Sequence, residues 1–280
     1  MKRNKISKRF GFLTAATLSS ALLAHGAAAQ TVTEAEVVDI LNWIQESSAV
    51  ELLAKRRAAI SAVPSGFGLS GGDLSLSASG TYGPERSPDD DSDDKSDAST
   101  GIAFGIGDPM TAVGVEFGLV LTSFRDFGAS GFLTLGVNRQ FDFDGGVGSI
   151  NVSASNLGAW GDAESSEVAY SIVGSVAYAL GSTPMVTTLG YGTGYGNGFG
   201  FSDDDCVSGC EGIVFGVGAG LSEYWAISAG VVGSSPIIGA TYFPSGVDGL
   251  SANIWVRDAD DSDSSTFGVD VGWVTNVFGG

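Results

Sequence analysis

The chain is almost without histidine. Its single one, His25, falls inside a stretch where Lys2, Arg3, Lys5, Lys8 and Arg9 precede an apolar run from Phe12 through Leu18 to Ala24 and then Ala27, Ala28 and Ala29. That order of basic, apolar and small residues is expected of a secretory signal peptide over residues 1–29, cut after Ala29. Without it no imidazole remains, so a Ser-His-Asp arrangement is excluded. Any general base would have to be a carboxylate, Lys55 or Lys95, and the chain is not expected to be an enzyme. Long apolar runs are missing as well: no further stretch reaches the roughly 20 residues of a membrane-spanning helix, and no cysteine follows the cut to carry a lipid. Basic residues are scarce. With the leader removed, eight of the 13 remain against 32 acidic ones, a formal charge of 8 minus 32, or −24. Nucleic acid is thereby excluded as a partner, since its binding depends on Lys and Arg neutralising phosphates. Cysteine is limited to Cys206 and Cys210. In an exported chain this close pair is expected to form a local disulfide pinning a loop, and with no histidine and no second cysteine pair neither a metal site nor a cofactor is expected.

Residues 30–65 read as a short helical segment. Thr33 to Glu36 has capping-box spacing, with Val32 and Val37 placed for a hydrophobic staple. Val37, Ile40, Leu41 and Ile44 then recur at helical spacing. A second capping box, Ser48 to Glu51, precedes Leu52, Leu53, Ala54, Ala58, Ala59 and Ile60, and Pro64 to Gly66 ends the element. It is too small to bury a core alone, so its apolar stripe must dock on the rest of the molecule, on a partner or on a sister chain.

From Gly66 onward the period changes from 3.6 to 2. Val113, Val115, Phe117, Leu119 and Leu121 alternate with Gly114, Glu116 and Gly118, and Phe267, Val269, Val271, Trp273 and Val277 alternate with Thr266, Gly268, Asp270 and Gly272. Successive side chains of a strand point oppositely, so each run has one oily face and one small, polar face. Twelve such runs follow from Leu74 to Phe278. Tight turns at Gly107–Met110, Gly181–Pro184, Leu221–Tyr224 and Phe243–Gly246 alternate with long loops over 83–98, 125–130, 158–166, 196–212 and 258–264, most of them rich in acid. A soluble sandwich also alternates, but its exposed faces would here be a meagre Gly, Ser and Ala surface. A solenoid would show a fixed repeat, which is absent.

With that pattern, residues 1–29 and 66–280 resemble the outer-membrane β-barrel proteins of Gram-negative bacteria. The resemblance implies an all-β fold, an antiparallel transmembrane barrel of about twelve strands with short turns in the periplasm and long loops outside. It also implies residence in the outer membrane, contact with outer-membrane lipid and delivery by the barrel insertion machinery. Aromatic girdles are expected from residues such as Phe124, Phe127, Tyr178, Tyr224, Trp225 and Phe243. One departure concerns the end: such barrels finish on an aromatic residue, whereas Gly279 and Gly280 follow Phe278.

Twelve strands lie between filled eight-stranded barrels and open sixteen-stranded ones, so the lining decides. The inward positions read as Gly, Ser, Thr, Asn and Ala, with Glu116, Asp270, Arg257, Asn151 and Asn253 as the lumen candidates. Small residues point to an open lumen passing small solutes, and acidic mouths to a preference for cations. The helical segment over 30–65 would then be a plug, a gate or a periplasmic docking element. The alternative is a closed barrel serving as a surface scaffold or adhesion module. Asp89, Asp91, Asp93, Asp258 and Asp260 supply oxygen ligands for weak cation binding in two loops, though neither loop has the glycine and terminal glutamate of an EF-hand. The run Gly190 to Gly200 keeps period two, has no following helix and is no nucleotide loop; its bare face either widens the lumen or lets a plug approach.

Overall fold

The computed structural model describes residues 58–83, 96–122, 128–143, 145–193, 211–258 and 265–277. Twelve strands follow in chain order: β1 (Asp73–Tyr82), β2 (Ser96–Gly107), β3 (Gly114–Leu121), β4 (Gly131–Phe143), β5 (Gly146–Trp160), β6 (Ala169–Leu180), β7 (Thr183–Thr193), β8 (Glu211–Gly220), β9 (Trp225–Val232), β10 (Ser235–Tyr242), β11 (Leu250–Arg257) and β12 (Thr266–Asn276). Each pairs with its neighbours in sequence, and β12 pairs with β1, so the sheet closes on itself. The closing register sets Tyr82 opposite Phe267, Ser79 opposite Asp270 and Asp73 opposite Asn276, all antiparallel. Closure leaves no strand edge for another chain to extend.

The apolar faces point outward. On β12 Phe267, Val269 and Val271 are exposed while Thr266, Gly268 and Asp270 are buried. Phe117, Val152 and Ile172, all within strand bodies, are 50%, 54% and 52% exposed. A belt of this kind exceeds the scattered apolar surface of a water-soluble protein and matches the lipid-facing band of a membrane barrel. Aromatic residues mark its two rims. Trp225 and Tyr242 are direct register partners with ring centroids 4.9 Å apart at the end bearing the short turns. Phe141 and Phe143 are exposed at that same end, and Tyr82, Tyr170 and Tyr191 at the other. Phe243 departs from the girdle expectation: it is 1% exposed and packs on Ala59 and Ala226 inside the barrel. Phe124, Phe127 and Phe278 lie outside the described residues.

Connections alternate as read from the sequence, with one exception. β9 and β10 are joined at the long-loop end by Gly233 and Ser234 alone. Gly233 has φ +61°, as Gly181 does at φ +62° in the opposite rim, the left-handed backbone that a two-residue hairpin starting on glycine requires. The rim is therefore low between β9 and β10.

Residues 58–72 run inside the barrel as an extended, bent strap. The sequence assigns Ala58–Val63 to the end of a helix; here they form none. Their main-chain groups are taken by side chains of the wall, as where Ser61 N donates to Ser228 Oγ at 3.0 Å, and helical bonding would withdraw them. The leader and the helix expected over 30–57 lie outside the described residues. Among the described residues no helix is long and apolar enough to cross a membrane, which says nothing of crossing by strands.

Candidate functional site: a strapped lumen

The strap enters at the short-turn end. Ala59 packs there on Ala226 and Phe243, and its carbonyl fills the space left by the missing side chain of Gly218. Ser61 comes next: its Oγ lies 3.2 Å from Thr241 Oγ1, which in turn donates to Asn253 Oδ1 at 2.6 Å. Val63 sits over Gly216 and Gly230, where added Cβ atoms would stand 3.1 and 2.9 Å from its methyl groups. These glycines share the inward parity of β8 and β9, so their missing side chains make room for the strap.

Two clamps then grip the main chain. Gly66 N donates to Ser175 Oγ at 2.7 Å, and Gly66 O accepts from Ser149 Oγ at 2.6 Å. Ser175 Oγ in turn donates to Thr188 Oγ1 at 2.8 Å, and Thr188 Oγ1 donates to Pro64 O at 3.2 Å. The second clamp holds Leu69, whose N donates to Glu116 Oε2 at 3.0 Å and whose O accepts from Asn138 Nδ2 at 3.2 Å. Gly71 N and Gly72 N then donate to Gly107 O and Gly105 O at 2.6 and 2.9 Å, delivering the chain into β1. Asp73 fixes that corner by accepting from Ser70 N at 2.8 Å and from Asn276 Nδ2 at 3.0 Å.

The lumen candidates fall into two groups that do not meet as one site. Glu116 and Asn151 belong to the strap floor; both are buried, and Asn151 Nδ2 donates to Glu116 Oε1 at 3.3 Å. Asp270, Arg257 and Asn253 lie on the β11–β12 wall, also buried. There Asp270 Oδ1 accepts from Ser79 Oγ at 2.6 Å, and Oδ2 accepts from Trp255 Nε1. Trp255 lies flat across Gly268, where any side chain would collide with the indole, and Arg257 stands 5.3 Å from the Trp255 ring centroid, a cation–π spacing. Asp258 is at the end of β11 with φ +53°. Cys206, Cys210, Asp89, Asp91, Asp93 and Asp260 lie outside the described residues.

The open lining expected from the sequence requires correction. Val147, Val186, Val214, Ile237 and Trp255 also point inward and form one buried cluster with Ile60, Val63 and Phe67 of the strap. On β8 to β11 both strand faces carry apolar residues, so alternation does not reveal which of them are inside. Sequence reasoning also passed over Asn138, Ser149, Ser175 and Thr188. Their signal was available as hydroxyl and amide side chains at inward parity on four successive strands.

No family model matches the chain, and no curated protein sequence matches it. Among solved structures, it is similar to the KdgM porin at 9% identity over 71% of this chain and 98% of that one, with a TM-score of 0.43. It is similar to the NanC porin at 9% identity over 72% and 98%, TM-score 0.39. The outer membrane phospholipase of Salmonella typhi, in its calcium-bound dimer, matches at 11% identity over 85% and 96%, TM-score 0.42. The assignment of a closed twelve-strand barrel rests on this chain's own strand pairing.

Proposed function

We propose that this protein is an outer-membrane barrel that passes small solutes, with a preference for cations, when the strap over 58–72 leaves the wall. The observation that carries this reading is how the strap is held. Its clamps are hydroxyl, amide and carboxylate groups on main-chain atoms at Gly66 and Leu69. Each such bond contributes only about 0.5–1.5 kcal/mol net, more for the charged acceptor. If the strap withdrew, these polar groups would be rehydrated in a wet lumen rather than orphaned. The inward glycines would then leave a wide bore. The cation preference is supported by the acidic balance of the chain, 32 acidic residues in all. Short turns face the periplasm in such barrels, so the chain preceding Ala58 joins the strap on that side, where a pull would act.

A second reading is favoured by the apolar contacts. Ile60, Val63 and Phe67 are buried against the wall, and withdrawing each would cost about 1.5–3 kcal/mol, which suits a permanently closed barrel used as a surface scaffold. Conductance across a planar bilayer, with and without residues 30–70, which carry both clamps, separates the two. The channel reading expects rare openings in the full chain and sustained steps in the shortened one. Silence in both forms would sink it and leave the scaffold.

A further inference from the structure

Four buried polar atoms without a hydrogen-bond partner gather on three neighbouring residues: Asn138 Oδ1, Asn151 Oδ1, and both Oε1 and Nε2 of Gln140. Asn138 and Asn151 are direct register partners across β4 and β5, and Gln140 follows Asn138 on the same inward face, opposite Ser149. All three are at most 1% exposed. The orientation of the two asparagines is settled by their donors. Asn138 Nδ2 is committed to Leu69 O at 3.2 Å and Asn151 Nδ2 to Glu116 Oε1 at 3.3 Å. Turning either amide would set an oxygen against an oxygen. Both Oδ1 atoms are thus acceptors left without a donor, and a buried polar atom in that state costs about 1–3 kcal/mol. Native structures satisfy such groups with water or an ion.

We infer that Asn138 Oδ1, Asn151 Oδ1 and Gln140 Oε1, beside the Glu116 carboxylate, form a binding site for a small monovalent cation of the sodium class. The donor set decides the class. Every candidate ligand is a hard oxygen, which excludes the soft and nitrogen-seeking metals. Calcium sites of useful affinity gather several carboxylates, whereas here three of the four groups are neutral amides. Gln140 Nε2 is a donor and is satisfied by a water of the ion's shell. The site lies directly behind the Leu69 clamp, since Asn138 and Glu116 both serve it. The bound ion therefore braces the floor of the barrel, whether or not the barrel conducts.

The test is thermal unfolding of the full chain in detergent, with sodium chloride exchanged for choline chloride at constant ionic strength. Choline is too large for the site, and matched ionic strength screens the acidic surface equally. The expected result is a midpoint higher by about 3–6 °C in sodium at roughly ten times the dissociation constant. That difference should vanish in Gln140→Leu and in Asn151→Leu. Asn151→Asp, which sets a second carboxylate against Glu116, should enlarge it and serves if the leucine variants fail to fold. Equal midpoints of the wild type in both salts would show water alone in the pocket and overturn the inference. A sodium effect unchanged in all three variants would overturn it too, by placing the ion elsewhere. A protein that conducts but shows no sodium effect loses this inference and keeps the channel.

Discussion

Replacing Gly66 with alanine would set a methyl carbon 2.6 Å from Ser175 N, 2.7 Å from Ser149 O and 2.8 Å from Val173 O. All three are wall backbone, which cannot swing aside, so the strap must lift. Gly66→Ala is expected to lower stability by about 1–3 kcal/mol and to raise the frequency of channel openings, read by urea unfolding and bilayer recording. Gly174→Ala is the control on the neighbouring wall: its methyl would meet only ordinary contacts at 3.8 Å, so neither quantity should move by much. At the other wall, Asp270 satisfies both Ser79 Oγ and Trp255 Nε1. Asp270→Leu strands two buried donors and is expected to cost about 2–4 kcal/mol. Asp270→Asn keeps one acceptor and is expected to cost less than half of that in the same unfolding measurement.

Among the elements, β12 shows most plainly how the sequence encodes its face. Phe267, Val269 and Val271 alternate with Thr266, Gly268 and Asp270, and only one of the two sets is oily. Val271 lies near the middle of the strand and Phe267 near its rim. Arginine at Val271 is expected to cost about 2–4 kcal/mol in lipid vesicles and arginine at Phe267 about 0–1 kcal/mol, because the penalty on the lipid face grows with depth. Equal costs at the two positions would contradict the membrane setting of this strand. Legibility was lower for β8 to β11. Val214, Val232, Ile237 and Trp255 are inward and buried, yet they sit among outward residues of the same kind. The strap was legible as a segment that docks or plugs, but its extended conformation was not. Ala58, Ala59 and Ile60 continue a helical pattern, and what holds them extended is wall chemistry far along the chain, such as the bond from Ser61 to Ser228 across 167 residues. Local periodicity carries no information about a partner that distant. The lumen candidates divide in the same way: Glu116 and Asp270 stand out as acids within runs of small residues, while Ser149 and Ser175 gain meaning only beside Gly66.

At the scale of the whole molecule, the closed register from β1 to β12 makes the barrel one cooperative unit. A heat-modifiable shift on a gel in detergent is expected, and a chain soluble without detergent would contradict the outward apolar belt. The central claim is that the strap occupies the lumen and that its movement opens it. Ser61 Oγ and Thr241 Oγ1 lie 3.2 Å apart, which suits a tether between strap and wall. The deciding measurement is therefore single-channel conductance of the Ser61→Cys/Thr241→Cys protein, made in a Cys206→Ser/Cys210→Ser background and recorded before and after reduction. Openings absent in the oxidised protein, present after reduction and lost again on reoxidation are the expected result. The same conductance in both states, or silence in both, would contradict it.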